Sequence, residues 1–212
     1  MIKPSVFGVG INDVPTPTQK FESLSVGGKS KNKLIWICKY YRKWKDMLKR
    51  CYYQTTFKTY EDCYVCEDWL RFSAFKDWCI LQEDLYSIDI ADMHLDKDLL
   101  VVGNKCYSPE YCMFLHSKIN TFILDSKAAR GDQPLGVNLN KNKTKYEAYC
   151  RYPLNRRQTY LGVYPTPAEA HEAWRECKHK YAKLLVRELE IRDDRVVNIL
   201  TTKYSKEFWY NP

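Results

Sequence analysis

The sequence predicts an α+β protein in which two modules follow one another along the chain. Apolar side chains recur every three or four residues over 34–52 and 67–82, which is the period of an amphipathic helix. Over 135–164 apolar and polar side chains alternate, which is the period of a half-buried strand. We therefore expect helices, a β-hairpin and a further helix in the first module. In the second we expect a three-stranded antiparallel sheet packed on one helix.

The first module begins with an arm and two helices. Residues 1–33 are rich in Gly, Pro, Ser, Thr and Lys, which predicts loop with at most a short strand at 6–10. The helix at 34–52 has a basic outer face. The second helix, at 67–82, follows a loop with a short strand at 63–66.

A hairpin and a third helix complete the first module. The pattern predicts a strand at 94–101, a turn at 102–105 and a returning strand at 106–107. Apolar side chains at helical spacing then predict a helix over 113–124. The expected order is strand, turn, strand, helix.

The strands of the second module have two chemically different faces. In 145–151 the even positions are apolar, and the odd positions are Lys145, Glu147, Tyr149 and Arg151. Because side chains alternate between the faces of a strand, one face is core and the other is polar and aromatic.

The next strand, 158–164, continues this division. The alternation predicts that Leu161 and Val163 point inward, and that Gln158 and Tyr160 point outward. Thr166 is then a good N-cap for a helix whose apolar stripe covers the inner face of the sheet.

A sheet that is open on one side and carries Lys, Arg, Asn and Gln is suited to the major groove of DNA. A basic, solvated sheet in a protein-binding domain is the alternative. The predicted DNA-binding residues are Asn138, Asn140, Lys141, Lys143, Lys145, Tyr149, Arg151, Arg156, Arg157, Gln158 and Tyr160 in this module, and Lys43 on the first helix.

The distribution of charge agrees with such a partner. The net charge of the 212 residues is +8. Residues 29–50 hold nine basic side chains and one acidic one, and residues 127–187 hold thirteen and five. Residues 58–98 hold four basic and eleven acidic side chains. Two basic blocks around an acidic one predict a polyanion contacted at two places, with ordinary solvated surface as the alternative.

Composition also bears on compartment and metal content. No apolar run approaches the roughly 18 residues of a membrane span, and the N-terminus lacks a secretory signal, so we expect a cytoplasmic protein without a membrane partner. Nine scattered cysteines are typical of reduced, packed thiols. Cys63 and Cys66 have zinc-knuckle spacing but no second close pair follows, so a structural zinc is the alternative there.

The second module resembles a known DNA-binding family. Residues 135–137, 145–148 and 160–170 are similar to the APETALA2/ethylene-response-factor domain of plants, which also occurs in phage homing endonucleases. The most specific string is Leu-Gly-Val-Tyr-Pro-Thr-Pro-Ala-Glu-Ala at 161–170. The resemblance implies a sheet that reads the major groove. The family's Arg-rich first strand is replaced here by Asn138, Asn140 and their neighbours, so no target sequence is implied.

Residues 6–124 resemble phage proteins of the HNH endonuclease class. The resemblance implies a cradle for one divalent metal ion, Mg²⁺ if activity is retained, and a histidine that activates water. Asp96 and Asn120 stand where the metal ligands are expected, and Asn104 stands in the connecting loop. The strings that carry the resemblance are 44–52, 63–69, 95–98, 107–112 and 119–120.

Lys97 stands where the resemblance places the general base. A lysine is protonated at neutral pH and cannot accept a proton, which predicts a degenerate nuclease with no resident metal. His94, on the same strand face as Asp96, and His116 are the substitute bases. Alternatively, Asp96, Asp98 and Asn104 simply shape a hairpin.

These features together predict a domesticated homing endonuclease that binds a double-stranded DNA site and represses transcription by occupying it. An active metal-dependent HNH endonuclease is the first alternative, and a protein-binding adaptor is the second. A phage or satellite origin places the protein in a bacterial cytoplasm, and the oligomeric state is left open, a dimer included. The expected segments are an arm at 1–33, an HNH-like domain at 34–125, a linker at 126–134, an APETALA2-like domain at 135–190 and a tail at 191–212.

Overall fold

The computed structural model describes residues 6–26, 29–53, 60–124 and 132–206. Its mixture of helices and small sheets confirms the α+β class, and the chain divides into two compact units, Met1–Leu115 and His116–Pro212. The strands are β1 Gln19–Val26, β2 Lys29–Ile37, β3 Tyr64–Val65, β4 Met93–Asp96, β5 Cys106–Tyr107, β6 Met113–His116, β7 Val137–Leu139, β8 Tyr146–Arg151 and β9 Gln158–Tyr164. The helices are α1 Lys39–Tyr52, α2 Phe72–Tyr86, α3 Ser117–Ile123, α4 Pro167–Glu188 and α5 Asp194–Lys203.

The arm predicted as loop over 1–33 instead carries most of an antiparallel hairpin, formed by β1 and β2. The pairing shifts register between Lys20 and Phe21, which makes Ile35 an extra residue of β2. The side chains of residues 20–24 and 30–36 are exposed. Because neither face of this hairpin is buried, no alternation of apolar and polar residues marks its strands.

The first predicted helix begins at Lys39 rather than at residue 34, because residues 34–37 continue β2. α1 packs on α2 through a core of aromatic rings. At its centre the fully buried Trp44 donates from Nε1 to the carbonyl of Trp69 over 2.7 Å.

The small strands pair differently from the prediction. β4 pairs with β6, and β5 pairs in parallel with β3, so the predicted hairpin between 94–101 and 106–107 is wrong. The short strand predicted at 63–66 is confirmed by β3. The helix predicted over 113–124 is wrong at its start, because Met113–His116 form β6. The first three residues of β6 are all buried. A continuous apolar run shows neither the period of a helix nor that of a strand, so the sequence pattern did not distinguish them.

The second unit contains the predicted three-stranded antiparallel sheet, in the order β7-β8-β9. α4 packs on this sheet and on α5. Thr166 caps α4 as predicted, since its Oγ1 accepts a hydrogen bond from the N–H of Glu169 at 3.2 Å. Most of the linker predicted at 126–134, and residues 207–212 of the predicted tail, lie outside the described residues.

One inward prediction for β9 is wrong. Ala148 pairs with Gly162 whereas Tyr149 pairs with Tyr160, so Leu161 is an extra residue in β9 and forms a β-bulge. Beyond the bulge the alternation is reversed, and Val163 lies on the exposed side with 45% of its surface accessible.

Candidate nucleic-acid interface

The outward face of the C-terminal sheet gathers side chains from all three strands. Cross-strand partners lie on the same face of an antiparallel sheet. The register therefore groups the pairs Asn138–Glu147, Tyr149–Tyr160 and Arg151–Gln158. The exposed strand residues of this face are Asn138, Arg151, Gln158, Tyr160 and Val163, the last opposite Glu147.

The centre of this face is held in place before any partner binds. The hydroxyl of Tyr149 donates to Oε2 of Glu147 at 2.8 Å, and this hydrogen bond raises the pKa of Tyr149. The rings of Tyr149 and Tyr160 lie 5.3 Å apart between centroids, in a tilted arrangement. The two tyrosines and the glutamate thus form a fixed ridge across β8 and β9.

The turn between β7 and β8 displays three exposed lysines, Lys141, Lys143 and Lys145. Asn140 builds this turn, since its Oδ1 accepts from the N–H groups of Thr144 at 2.9 Å and Lys145 at 3.2 Å. The side-chain oxygen of Asn140, which was predicted to contact DNA, is therefore already bonded to backbone N–H groups of this turn. Its contribution is to hold the lysine-bearing turn.

The turn at the other end of the sheet, between β8 and β9, carries Arg156 and Arg157. Both side chains are exposed. Arg156 has a left-handed backbone with φ of 60°, and Oδ1 of Asn155 accepts from the N–H of Arg157 at 2.9 Å. Basic side chains thus stand at both ends of the sheet.

α4 supports the sheet from its inner face. Ala148 of β8 and Ala170 of α4 are fully buried in the same core. The hydroxyls of Thr159 in β9 and Tyr181 in α4 are hydrogen-bonded at 2.9 Å. Gly136, with φ of +75°, lies against Trp174, and a Cβ at this position would stand 1.9 Å from its ring. Residue 136 must therefore be glycine for the first strand to approach the helix.

Lys178 is a partly buried lysine beside this face that the sequence pattern did not single out. Its Nζ donates to the carbonyl of Phe122 at 2.6 Å and lies 3.6 Å from the centre of that ring. Burial lowers the pKa of Lys178 to about 8. It lines a cavity of about 410 Å³ together with Asn138, Arg151 and Gln158 of the outward face. A lysine on a long helix normally lies in solvent, so no signal in the sequence could have identified this one as partly buried.

The polar residues of the nuclease-like segment satisfy one another. Oδ1 of Asp96 accepts from the N–H groups of Asp98 at 3.0 Å and Leu99 at 2.8 Å. Asn104 donates to the carbonyls of Lys97 at 2.8 Å and Cys106 at 2.7 Å. These bonds brace the loop between β4 and β5; the hairpin that was the alternative for these residues is not formed, since β4 pairs with β6.

Lys97 is the central brace of that loop and is only 4% exposed. Its Nζ donates to Asp98 at 2.7 Å and to the carbonyl of Asn104. Burial opposes the charge, but the carboxylate of Asp98 outweighs it and raises the pKa of Lys97. Burial also raises the pKa of Asp96, although two backbone N–H groups stabilise its carboxylate. Lys97 therefore stays protonated and cannot serve as a base.

The other residues predicted as metal ligands or bases of a nuclease lie on different elements. His94 is exposed on β4, and Nδ1 of His116 caps α3 by accepting from the N–H of Lys118 at 3.1 Å. Asn120 lies within α3, in the C-terminal unit. Among the described residues, no group of three or more His, Cys, Asp or Glu side chains is arranged to hold a metal ion, Cys63 and Cys66 included.

Lys43, predicted to contact phosphate, is used inside the fold instead. Its Nζ donates to the carbonyls of Ala91 at 2.9 Å and Met93 at 2.5 Å, and burial lowers its pKa. Lys39 is bound to Glu83 at 2.6 Å. Part of the positive charge of α1 is therefore neutralised by the acidic segment that follows it.

No family model, no curated protein and no solved structure matches the chain. The resemblances to the HNH and APETALA2 classes therefore stay predictions. No helix among the described residues is long and apolar enough to cross a membrane.

Proposed function

We propose that the chain is a sequence-specific double-stranded DNA-binding protein that represses transcription by occupying its site. The observation that carries this proposal is the exposed face of the C-terminal sheet, with basic turns at both ends and polar and aromatic side chains between them. A metal-dependent endonuclease that cuts a specific site is the alternative, and a plasmid-cleavage assay separates the two.

The dimensions of the sheet suit a DNA groove. β8 has six residues, which at about 3.4 Å per residue span roughly 20 Å. The major groove is about 12 Å wide, so the lysine turn and the arginine turn reach the two phosphate walls when β8 crosses it. Phosphate contacts of this kind position a protein without reading sequence.

The middle of the face supplies the groups that read bases. Arg151 matches guanine, and Gln158 and Asn138 match adenine, through paired hydrogen bonds to base edges. Glu147 accepts from cytosine N4 in the same scheme, and its bond to Tyr149 fixes its position. Specific recognition therefore depends on the centre of the sheet, and general affinity on its ends.

Binding without cleavage is supported by the state of Lys97 and Asp96. Lys97 is a protonated brace, and Asp96 is committed to the turn that follows it. A protein that occupies a site and leaves it intact excludes other proteins from that site. Repression follows where the site overlaps a promoter.

The first experiment selects bound duplexes from a random pool with the purified full chain and then measures affinity for the selected duplex. Arg151→Ala is expected to weaken binding about tenfold to a hundredfold, and to relax preference at one base position, since one paired base contact contributes about 1–3 kcal/mol. Lys141→Gln with Lys143→Gln is expected to weaken binding to all sequences alike. Arg187→Ala, an exposed arginine of α4 outside the sheet, is the matched control.

The same preparation is incubated with supercoiled plasmid carrying the selected site and Mg²⁺ or Mn²⁺. We expect no nicking, and we expect that a transcript from a promoter overlapping the site is lost when protein is added. Cleavage that Asp96→Ala abolishes would replace the repressor by the endonuclease. If no salt-dependent DNA binding is found, the protein-binding adaptor becomes the favoured function of this surface.

A further inference from the structure

The hairpin of β1 and β2 is a two-stranded ribbon exposed on both faces. Its described side chains at 20–24 and 30–36 are all exposed, including Phe21 at 52%, Leu34 at 44% and Trp36 at 49%. An isolated two-stranded hairpin is marginally stable in water at best. Such an element commonly gains its stability from a partner.

The pairing register separates the two faces of the ribbon. Phe21 pairs with Leu34 and Ser23 with Asn32, which makes one face uncharged, with one apolar pair. The other face, here called the lysine face, carries Lys20, Lys31 and Lys33 with Glu22, Leu24 and Trp36. Three cations and one carboxylate leave this face with a net positive charge.

The lysine face carries charge of the first basic block that is not bound within the fold, as do the exposed Arg42 and Lys49 of α1. In α1, Lys43 donates to two backbone carbonyls and Lys39 is bound to Glu83 and Asp89. Arg50 donates to the carbonyl of Leu95. The exposed lysines of the ribbon have no such contact to acidic side chains in the part of the chain that the structure describes.

We propose that the β1–β2 ribbon is a second DNA-binding element, which lies in a groove of the duplex with its lysine face toward the phosphates. The major groove accommodates a two-stranded β-ribbon, and β1, at eight residues and about 3.4 Å each, is roughly 27 Å long. The proposal rests on DNA being the partner of the C-terminal sheet, and adds a contact from the other unit. A second copy of the chain, packed on Phe21 and Leu34, is the competing occupant.

The test compares three full-length variants on the duplex that the wild type selects and on a random duplex of equal length. The first is Lys20→Gln with Lys31→Gln and Lys33→Gln. The second is Phe21→Ser with Leu34→Ser. The third replaces three exposed lysines of the C-terminal unit, Lys180, Lys183 and Lys206, by Gln as the charge-matched control. Affinity is measured from 50 to 300 mM salt, and mass in solution by sedimentation.

The lysine-face variant is expected to lose at least tenfold in affinity for both duplexes, and its slope of log affinity against log salt is expected to fall by about 2–3, since each phosphate contact contributes about 0.9. The control is expected to change either quantity far less. In the wild type, DNA is expected to protect Lys31 and Lys33 from acetylation.

An unchanged slope in the lysine-face variant, with the Arg151→Ala effect intact, would overturn the ribbon proposal and leave the sheet proposal standing. If the wild type is a dimer, and the variant with Phe21→Ser and Leu34→Ser is a monomer that keeps its DNA affinity, the ribbon binds a second copy of the chain. That result would also overturn the ribbon proposal. If the wild type binds neither duplex, both proposals fail together.

Discussion

Replacing Lys178 by Met is expected to change how the stability of the protein depends on pH. The Lys178 ammonium is held among Phe122, Trp174 and Tyr204, where burial lowers its pKa from 10.5 to about 8. In the unfolded chain the lysine keeps its ordinary pKa. Between pH 8 and 10.5 the unfolded chain therefore holds a proton that the folded chain has released, and the free energy of unfolding rises with pH through this window.

The size of the effect follows from the two pKa values. Their difference corresponds to about 3 kcal/mol at roughly 1.4 kcal/mol per unit. The hydrogen bond to the Phe122 carbonyl and the close ring contact favour the charged form and reduce this figure, so we expect about 1–3 kcal/mol. Below pH 8 the cost of burying the charge is constant. Lys178→Met removes it and is expected to be more stable than the wild type at pH 7.

The assay is urea unfolding at pH 7, 8, 9 and 10 under reducing conditions, with Lys180→Met as the control on the same helix. The stability difference between the wild type and Lys178→Met is expected to shrink by about 1–3 kcal/mol from pH 8 to 10, whereas the Lys180→Met curve runs parallel to the wild type. Parallel curves for Lys178→Met, or a difference that widens with pH, would refute the reasoning.

Three further predictions concern the C-terminal sheet, and urea unfolding at pH 7 checks each of them. Gly136→Ala is expected to lose about 3 kcal/mol or more, because the added Cβ meets the Trp174 ring and the backbone is left-handed; a loss below about 1 kcal/mol would contradict this packing. Leu161→Ala is expected to cost about 1–2 kcal/mol and Val163→Thr less than about 0.5, and equal costs would mean that the bulge is misplaced. Thr166→Ala is expected to cost about 1 kcal/mol through loss of the helix cap, and a neutral result would show that the cap is dispensable.

The C-terminal sheet and α4 could be predicted because their determinants are local. The alternation in β8, the basic turn residues and the Thr166 cap each act within a few residues of the chain. The position of Val163 could not be predicted, because the bulge at Leu161 adds one residue without any change in composition. A strand period continues across such a residue in the sequence, but the faces are exchanged in the structure.

The N-terminal unit was less predictable because its determinants are contacts distant in sequence. The hairpin has no buried face, so its strands lack an apolar period. The pairing of β4 with β6 depends on residues seventeen or more positions apart, and a local pattern carries no information about it. The burial of Lys43 beneath the carbonyls of Ala91 and Met93 is likewise a tertiary contact, and a basic helical face in the sequence gives no sign of it.

The extra residue at Leu161 has a consequence for which side chains the outer face of the sheet presents. Substitutions at Gln158 or Tyr160 alter one outward group at a time. Without a bulge, regular alternation from Tyr160 through Leu161 would place Gly162 on the outer face and Val163 on the inner face, the reverse of the observed pairing. The bulge, and not the residue types beside it, therefore decides that Val163 belongs to the outer surface and Gly162 does not.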